Sequence, residues 1–221
     1  MSGILSNTGM HAIIWKAFTQ TLYMVFWSTF FSVIIGFIPA IILTLTAPDG
    51  LKPNKIVYEI LSFIVNVFRS FPFIILLVIL IPFTRMVVGK SIGTTASIVP
   101  LTVGAIPIVA RMVESSLSEV SPGIIEAATS MGASPLYIIT HFILPEATPS
   151  LLLGAAINIA TVLGYSAMAG VIGGGGLGAI ALQYGYYRYQ KEVLWTTVTI
   201  LVIMVMVIQE SGNVIAKKVR K

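Results

Sequence analysis

The chain has 221 residues, 57% of them hydrophobic and only 10% charged, with 13 Lys and Arg against 8 Asp and Glu for a formal net charge of +5. So much apolar surface cannot be hidden inside one soluble core of this size, which excludes an ordinary soluble domain and indicates a bilayer protein. The positive charges are scattered at the ends of apolar runs rather than gathered on one face, which fits membrane anchoring and argues against nucleic acid as a partner.

A helix needs about 20 mostly apolar residues to cross the hydrocarbon layer. Five runs qualify: residues 22–46, 61–84, 94–112, 149–171 and 193–209. They are continuously apolar, whereas a barrel strand would alternate at every second residue. The predicted fold is therefore an all-α integral membrane protein with five transmembrane helices in a single domain over residues 1–221. The first run is much longer than the apolar core of a signal peptide and is taken as a retained span. With no cysteine there is no disulfide or thiolate metal site, and the distant His11 and His141 do not form a ligand cluster, so no metal site is expected.

Five crossings place the termini on opposite sides. The tail Lys217, Lys218, Arg220 and Lys221 directly follows the last run. Positive charge beside a span favours the cytoplasm, so the C-terminus is expected inside and the N-terminus outside. Lys52, Lys55 and Arg111 then also lie inside, and Lys16, Arg85, Lys90, Arg188 and Lys191 outside. Tyr184, Tyr186, Tyr187, Tyr189 and Trp195 read as an aromatic belt at headgroup level before the fifth run.

Around the start of the second run, Lys55, Glu59, Ser62, Asn66 and Arg69 recur in steps of four, three, four and three, which puts them on one helical stripe. Such a stripe must face protein, headgroups or water rather than lipid tails. Lys55 and Glu59 are also spaced to pair across one turn. Asn66 and Arg69 lie deeper, and with Pro72 they are candidates for subunit packing or the translocation path. Pro72 removes a backbone hydrogen bond and predicts a kink in the second span.

Between the third and fourth runs, residues 114–148 are polar or small enough to leave the membrane, on the cytoplasmic side in this orientation. Ser121-Pro122-Gly123 stops what precedes it, and Pro122 suits a first helical position. Glu126 is expected in the first turn, where the helix dipole favours a carboxylate. Ala127 and Ala128 keep the helix surface low. Gly132 can take the left-handed conformation that ends a helix, and Ser134-Pro135 can cap and begin the next. The expectation is a short helix, a tight turn and a second helix ending at Pro145, together a stiff knob. Local chemistry alone suits an ordinary well-capped loop equally well.

In the fourth run, "GYSAMAG" sets Tyr165, Ser166 and Met168 among small residues, which let helices close in and larger side chains project between them. "GVIGGGGLG", residues 170–178, contains dinucleotide-binding spacing but no preceding strand or following acidic residue in a soluble unit. It reads instead as a flexible outer turn or a hinge. No GxxxxGK[ST] is present, so the chain has no phosphate cradle of its own. The apolar cores of the five runs hold no Asp or Glu, which argues against a proton relay or ion coupling. Nor is there a paired acid, base and nucleophile at believable spacing, so no enzymatic activity is expected.

Glu126-Ala127-Ala128, then Gly132, then Leu144-Pro145 match a signature loop of ABC importer permeases: EAA, three residues, Gly, nine residues, Ile-x-Leu-Pro. This chain has Phe142 where Ile is usual. "NVFRSFPFIILLVILIPFTR", "IVPLTVGAIPIVARMVE" and "GYSAMAGVIGGGGLG" followed by "QYGY" extend the likeness over nearly the whole chain, which resembles the permease subunits of methionine-import ABC transporters. The resemblance implies a type I importer fold in a bacterial inner membrane and a coupling helix formed by the EAA loop. It further implies that ATP and Mg are bound by a separate ATPase subunit, two copies of which dock beneath a homodimer, with a methionine-binding protein above and no cofactor in this chain. It also places Tyr165, Ser166 and Met168 beside the central pathway, with Tyr165 and Met168 as lining or gate and Ser166 as a polar contact. Permeases for other small amino acids are built alike, and an ion-coupled secondary transporter is the remaining alternative.

Overall fold

A computed structural model describes residues 8–220. Lys221 of the basic tail and residues 1–7 lie outside the described residues. Every regular element is helical and no strand occurs among the described residues. In chain order they are α1 (Thr8–Thr46), α2 (Lys55–Ser70), α3 (Phe73–Ile79), α4 (Ile81–Val88), α5 (Thr94–Ser118), α6 (Pro122–Ser130), α7 (Pro135–Ile138), α8 (Leu144–Ala169), α9 (Gly176–Ile180) and α10 (Lys191–Val219). Wide π-type turns at Ile139–Ile143 and Ala181–Tyr186 and a 3₁₀ turn at Gly170–Ile172 fill the joints.

Among the described residues, four continuous helices are long and apolar enough to cross a membrane: Gly9–Thr46, Thr94–Ser118, Pro135–Ile172 and Lys191–Val219. α2 and α3 together make a fifth, bent by 99° at the intervening break. The multi-pass, all-helical expectation holds, but the boundaries shift. The first helix begins at Thr8 rather than near residue 22, because the polar residues Lys16, Thr19 and Gln20 interrupt apolarity without breaking a helix. The fifth runs from Lys191 to Val219, beyond the apolar stretch at both ends.

The second span differs most from expectation. In place of one kinked helix over residues 61–84 there are three pieces, α2, α3 and α4. Pro72 sits at the N-cap of α3 with extended backbone (φ −59°, ψ 125°), so it ends one helix and starts another instead of bending a continuous one. The loop over residues 114–148 is also shorter than expected, since α5 continues through Glu114 to Ser118.

The described chain forms two compact units. One contains residues up to Phe31 with Phe71–Ala105 and Ile159–Ile208. Its core is built from Ile14, Ala17, Val25, Ala105, Val162, Leu163, Leu177 and Met204, and from a second cluster of Met24, Phe73, Leu76, Leu77, Leu101 and Ala169. The other contains Ser32–Ser70, Ile106–Asn158 and the described residues from Gln209 onward. There Ala40 of α1 and Val109, Val113 and Leu117 of α5 pack on Ala128, Ile138, Ile139, Ile143 and Ala147. A smaller cluster joins Leu43, Val65 and Ala110 with Tyr58 and Leu61 at its edge. Gly36 brings α1 so close to α5 that an added Cβ would meet the Ile106 carbonyl and Val109 at 2.9 Å.

Candidate coupling and pathway sites

The EAA segment forms a capped helix and turn. Pro122 is the first residue of α6, where its missing N–H costs nothing. α6 ends in two bonds: Gly132 N–H donates to the Thr129 carbonyl at 2.9 Å and Ala133 N–H to the Ala128 carbonyl at 3.2 Å. This is a Schellman ending, and it needs the left-handed backbone that Gly132 supplies at φ 76°. Ser134 then caps α7, its hydroxyl oxygen accepting from Tyr137 N–H at 3.4 Å. Ala128 is fully buried in the cluster with Val113 and Leu117, which fastens the element to α5.

Two expectations for this segment are overturned. Glu126 is the fifth residue of α6 and lies in its second turn, because the helix begins at Pro122, so the dipole argument does not reach it. Nor does the second helix end at Pro145. Leu144 N–H reaches back five residues to the Ile139 carbonyl, and the wide turn leads straight into α8, where Pro145 is a first-turn residue that needs no N–H. The continuous helix Pro135–Ile172 has 38 residues and is about 57 Å long. Only about 30 Å of that fits the hydrocarbon, so part of it must project beyond the membrane.

Of the residues singled out, Glu126, Ala127, Gly132 and Pro145 are exposed, Leu144 is half-buried and Ala128 is core. The same segment carries exposed apolar side chains that the motif does not announce. Met131 is 72% exposed, Leu136 68% and Tyr137 49%, with Tyr137 stacked on His141 at a centroid distance of 4.0 Å. Their signal in the sequence is the presence of large apolar residues in a segment otherwise small or polar.

In the other unit, Tyr165 lies on Phe73 with centroids 4.0 Å apart and planes within 3°. Ser166 is buried, and its hydroxyl donates to the Leu163 carbonyl at 2.7 Å. Met168 is 45% exposed. The glycine run after them, expected as a flexible outer turn or a hinge, is closely packed and hydrogen-bonded. Gly176 N–H donates to Gln20 Oε1 at 3.1 Å and Leu177 N–H to Thr21 Oγ1 at 2.9 Å. A Cβ on Gly178 would meet the Ala167 carbonyl oxygen at 2.3 Å. Glycine is present here because backbone approaches backbone, and the missing side chains do not loosen the turn.

Asn66 and Arg69 separate. Arg69 is exposed. Asn66 Oδ1 accepts from Arg111 Nη2 at 3.1 Å. Arg111 Nη2 also donates to the Ser62 carbonyl at 3.1 Å and to the Ser62 hydroxyl, while Nη1 donates to Glu114 Oε2 at 2.7 Å. The pair is largely enclosed, with side-chain exposures of 19% and 10%. Glu114 lies just beyond the apolar run 94–112, in the part of α5 that continues to Ser118, and its buried carboxylate is compensated by Arg111. Lys55 and Glu59 pair as expected at 3.8 Å, both side chains exposed.

No group of three or more metal-ligating side chains occurs among the described residues.

Residues 40–221 match the family described as the binding-protein-dependent transport system inner membrane component. The probable D-methionine transport system permease protein MetI of Vibrio cholerae is 47% identical over 200 residues, covering 90% of this chain and 89% of that protein. The D-methionine transport system permease protein MetI of Escherichia coli K12 is 52% identical over 151 residues, covering 68% of this chain and 70% of that one. A structure of the MetNI methionine ABC transporter in inward-facing conformations matches with a TM-score of 0.95 at 47% identity, over 97% of this chain and all of that one. An amino acid ABC transporter solved with histidines shares the fold at TM-score 0.80 and 22% identity, covering 99% of each chain. With the EAA element, the multi-pass helices and these likenesses together, the chain belongs to the inner-membrane components of binding-protein-dependent transport systems.

Proposed function

We propose that the chain is the permease subunit of an ABC importer for methionine, moving its substrate across the bacterial inner membrane by alternating access. It is the non-catalytic membrane part of the system, and a separate ATPase subunit binds ATP and Mg. Two copies of the chain form a homodimer around one pathway, since five helices are few to enclose a solute path alone. An ATPase docks on each α6–α7 element, at Glu126, Ala127 and the exposed Met131, Leu136 and Tyr137. A methionine-binding protein delivers the substrate from the opposite side. The N-terminus is then outside and the basic tail cytoplasmic. Tyr165 and Met168 line or gate the pathway and Ser166 lies at its wall.

The observation that carries this reading is the capped α6–turn–α7 element, seated on α5 through Ala128 and exposing Glu126, Met131, Leu136 and Tyr137. The relatives named as D-methionine permeases support the substrate. Uptake of labelled D- and L-methionine by proteoliposomes containing this chain, the cognate ATPase and the binding protein tests it. ATP-dependent accumulation of methionine is expected, and accumulation of another amino acid in its place would overturn the substrate assignment.

A further inference from the structure

Arg111 is enclosed in the unit that carries the docking element, and the pathway reading gives it no role. Its guanidinium is shared between two helices. On its own helix it holds Glu114, and across to α2 it holds the Ser62 carbonyl, the Ser62 hydroxyl and Asn66. Arg111 also follows Ala110, which packs with Val65 of α2 and Leu43 of α1. Two and six residues further along α5, Val113 and Leu117 lie in the cluster with Ala128, Ile138 and Ile143 of the docking element. One stretch of α5 therefore touches the docking element on one side and grips α2 on the other, and α2 leads directly to the break before Pro72.

We propose that Arg111, held by Glu114, is a positioning residue that ties α2 to α5 so that movement of the docking element is passed to α2 and not lost within the unit. A planar fork with several donors suits this work, because one guanidinium can hold a carboxylate and two acceptors on another helix at fixed angles. A packing contact alone would slide, whereas a buried charge pair that loses one partner is strongly penalised, so the joint moves as a piece. Glu114 keeps the guanidinium compensated and orients the nitrogen that faces α2.

This inference rests on the importer reading, and the test separates the two. The complete transporter is reconstituted with wild-type chain or with Arg111→Met, Arg111→Lys or the double variant Ser62→Ala/Asn66→Ala, and methionine uptake and ATP hydrolysis are measured on the same vesicles. We expect each variant that assembles to retain ATP hydrolysis while uptake per ATP falls, by about tenfold for Arg111→Met, the size of an ordinary coupling between sites. Arg111→Lys should recover only part of the loss, since one ammonium cannot span both helices. The double variant keeps the Arg111 and Glu114 pair intact, so it carries the test if Arg111→Met fails to assemble. A wild-type uptake per ATP in the double variant, or failure of all three variants to assemble, would overturn the proposal. Absence of ATP-driven uptake in the wild type would instead overturn the importer reading itself.

Discussion

The ring of Tyr165 in α8 lies flat on that of Phe73 in α3, centroids 4.0 Å apart and planes within 3°. The contact joins the first turn of α3, just after the break at Pro72, to the small-residue stretch of α8. The stack uses the ring faces and leaves the phenol oxygen out. Tyr165→Phe should therefore leave thermal stability of the purified chain unchanged. Tyr165→Ala should lower it by about 2 kcal/mol, through lost stacking and an unfilled gap. Equal losses for both would mean that the hydroxyl, not the ring, carries the contact.

The two glycines of the docking element should respond in opposite directions to alanine. Gly132 has φ 76° and open space around its Cβ position, so Gly132→Ala strains only the backbone and should cost about 1 kcal/mol. Gly123 lies inside α6 with its nearest atom at 3.7 Å, so Gly123→Ala should stabilise by up to about 1 kcal/mol. Thermal unfolding in detergent, with uptake alongside, checks the pair. We expect uptake to fall only for Gly132→Ala.

Glu126 is exposed, so Glu126→Arg should leave stability within about half a kcal/mol of wild type. Association with the ATPase should nevertheless be lost. Co-purification of the two subunits checks this, and undiminished recovery of the ATPase would remove Glu126 from the docking surface.

Two buried close approaches differ in what can yield. An alanine at Gly178 would place its Cβ 2.3 Å from the Ala167 carbonyl oxygen, which is backbone. At Gly154 the obstacle is the side chain of Met112, at 2.3 Å from its Cγ and 2.4 Å from its Sδ, and a flexible thioether can move. Gly178→Ala should therefore destabilise by about 2 kcal/mol and Gly154→Ala by distinctly less. Thermal midpoints of the two variants decide the order.

The helix–turn–helix of α6 and α7 was legible because each of its turns depends on a residue with a fixed local preference. Pro122 starts a helix, Gly132 ends one and Ser134 caps the next, and none of these needs a distant partner. Pro72 was legible as an interruption, though whether it bends or breaks the span depends on the packing of Phe73, Leu76 and Leu77, which the local sequence does not state. The continuation through Pro145 was not legible. A π-type turn shifts the hydrogen-bond register without requiring any particular residue. The Arg111 network was missed because its acceptor Ser62 lies 49 positions away, and a polar stripe shows that a partner exists without naming it. The close packing of the glycine run was not legible, because the same residues serve looseness and close approach, and only the neighbouring backbone distinguishes them.

The central claim is that this chain moves methionine only when an ATP-hydrolysing partner acts on its α6–α7 element. The most direct measurement is methionine uptake into sealed vesicles containing the chain with and without its ATPase, at fixed binding protein and with ATP or an imposed ion gradient. Uptake is expected with the ATPase and ATP together and none with the gradient alone. Uptake by the chain without the ATPase, driven by the gradient, would contradict the claim.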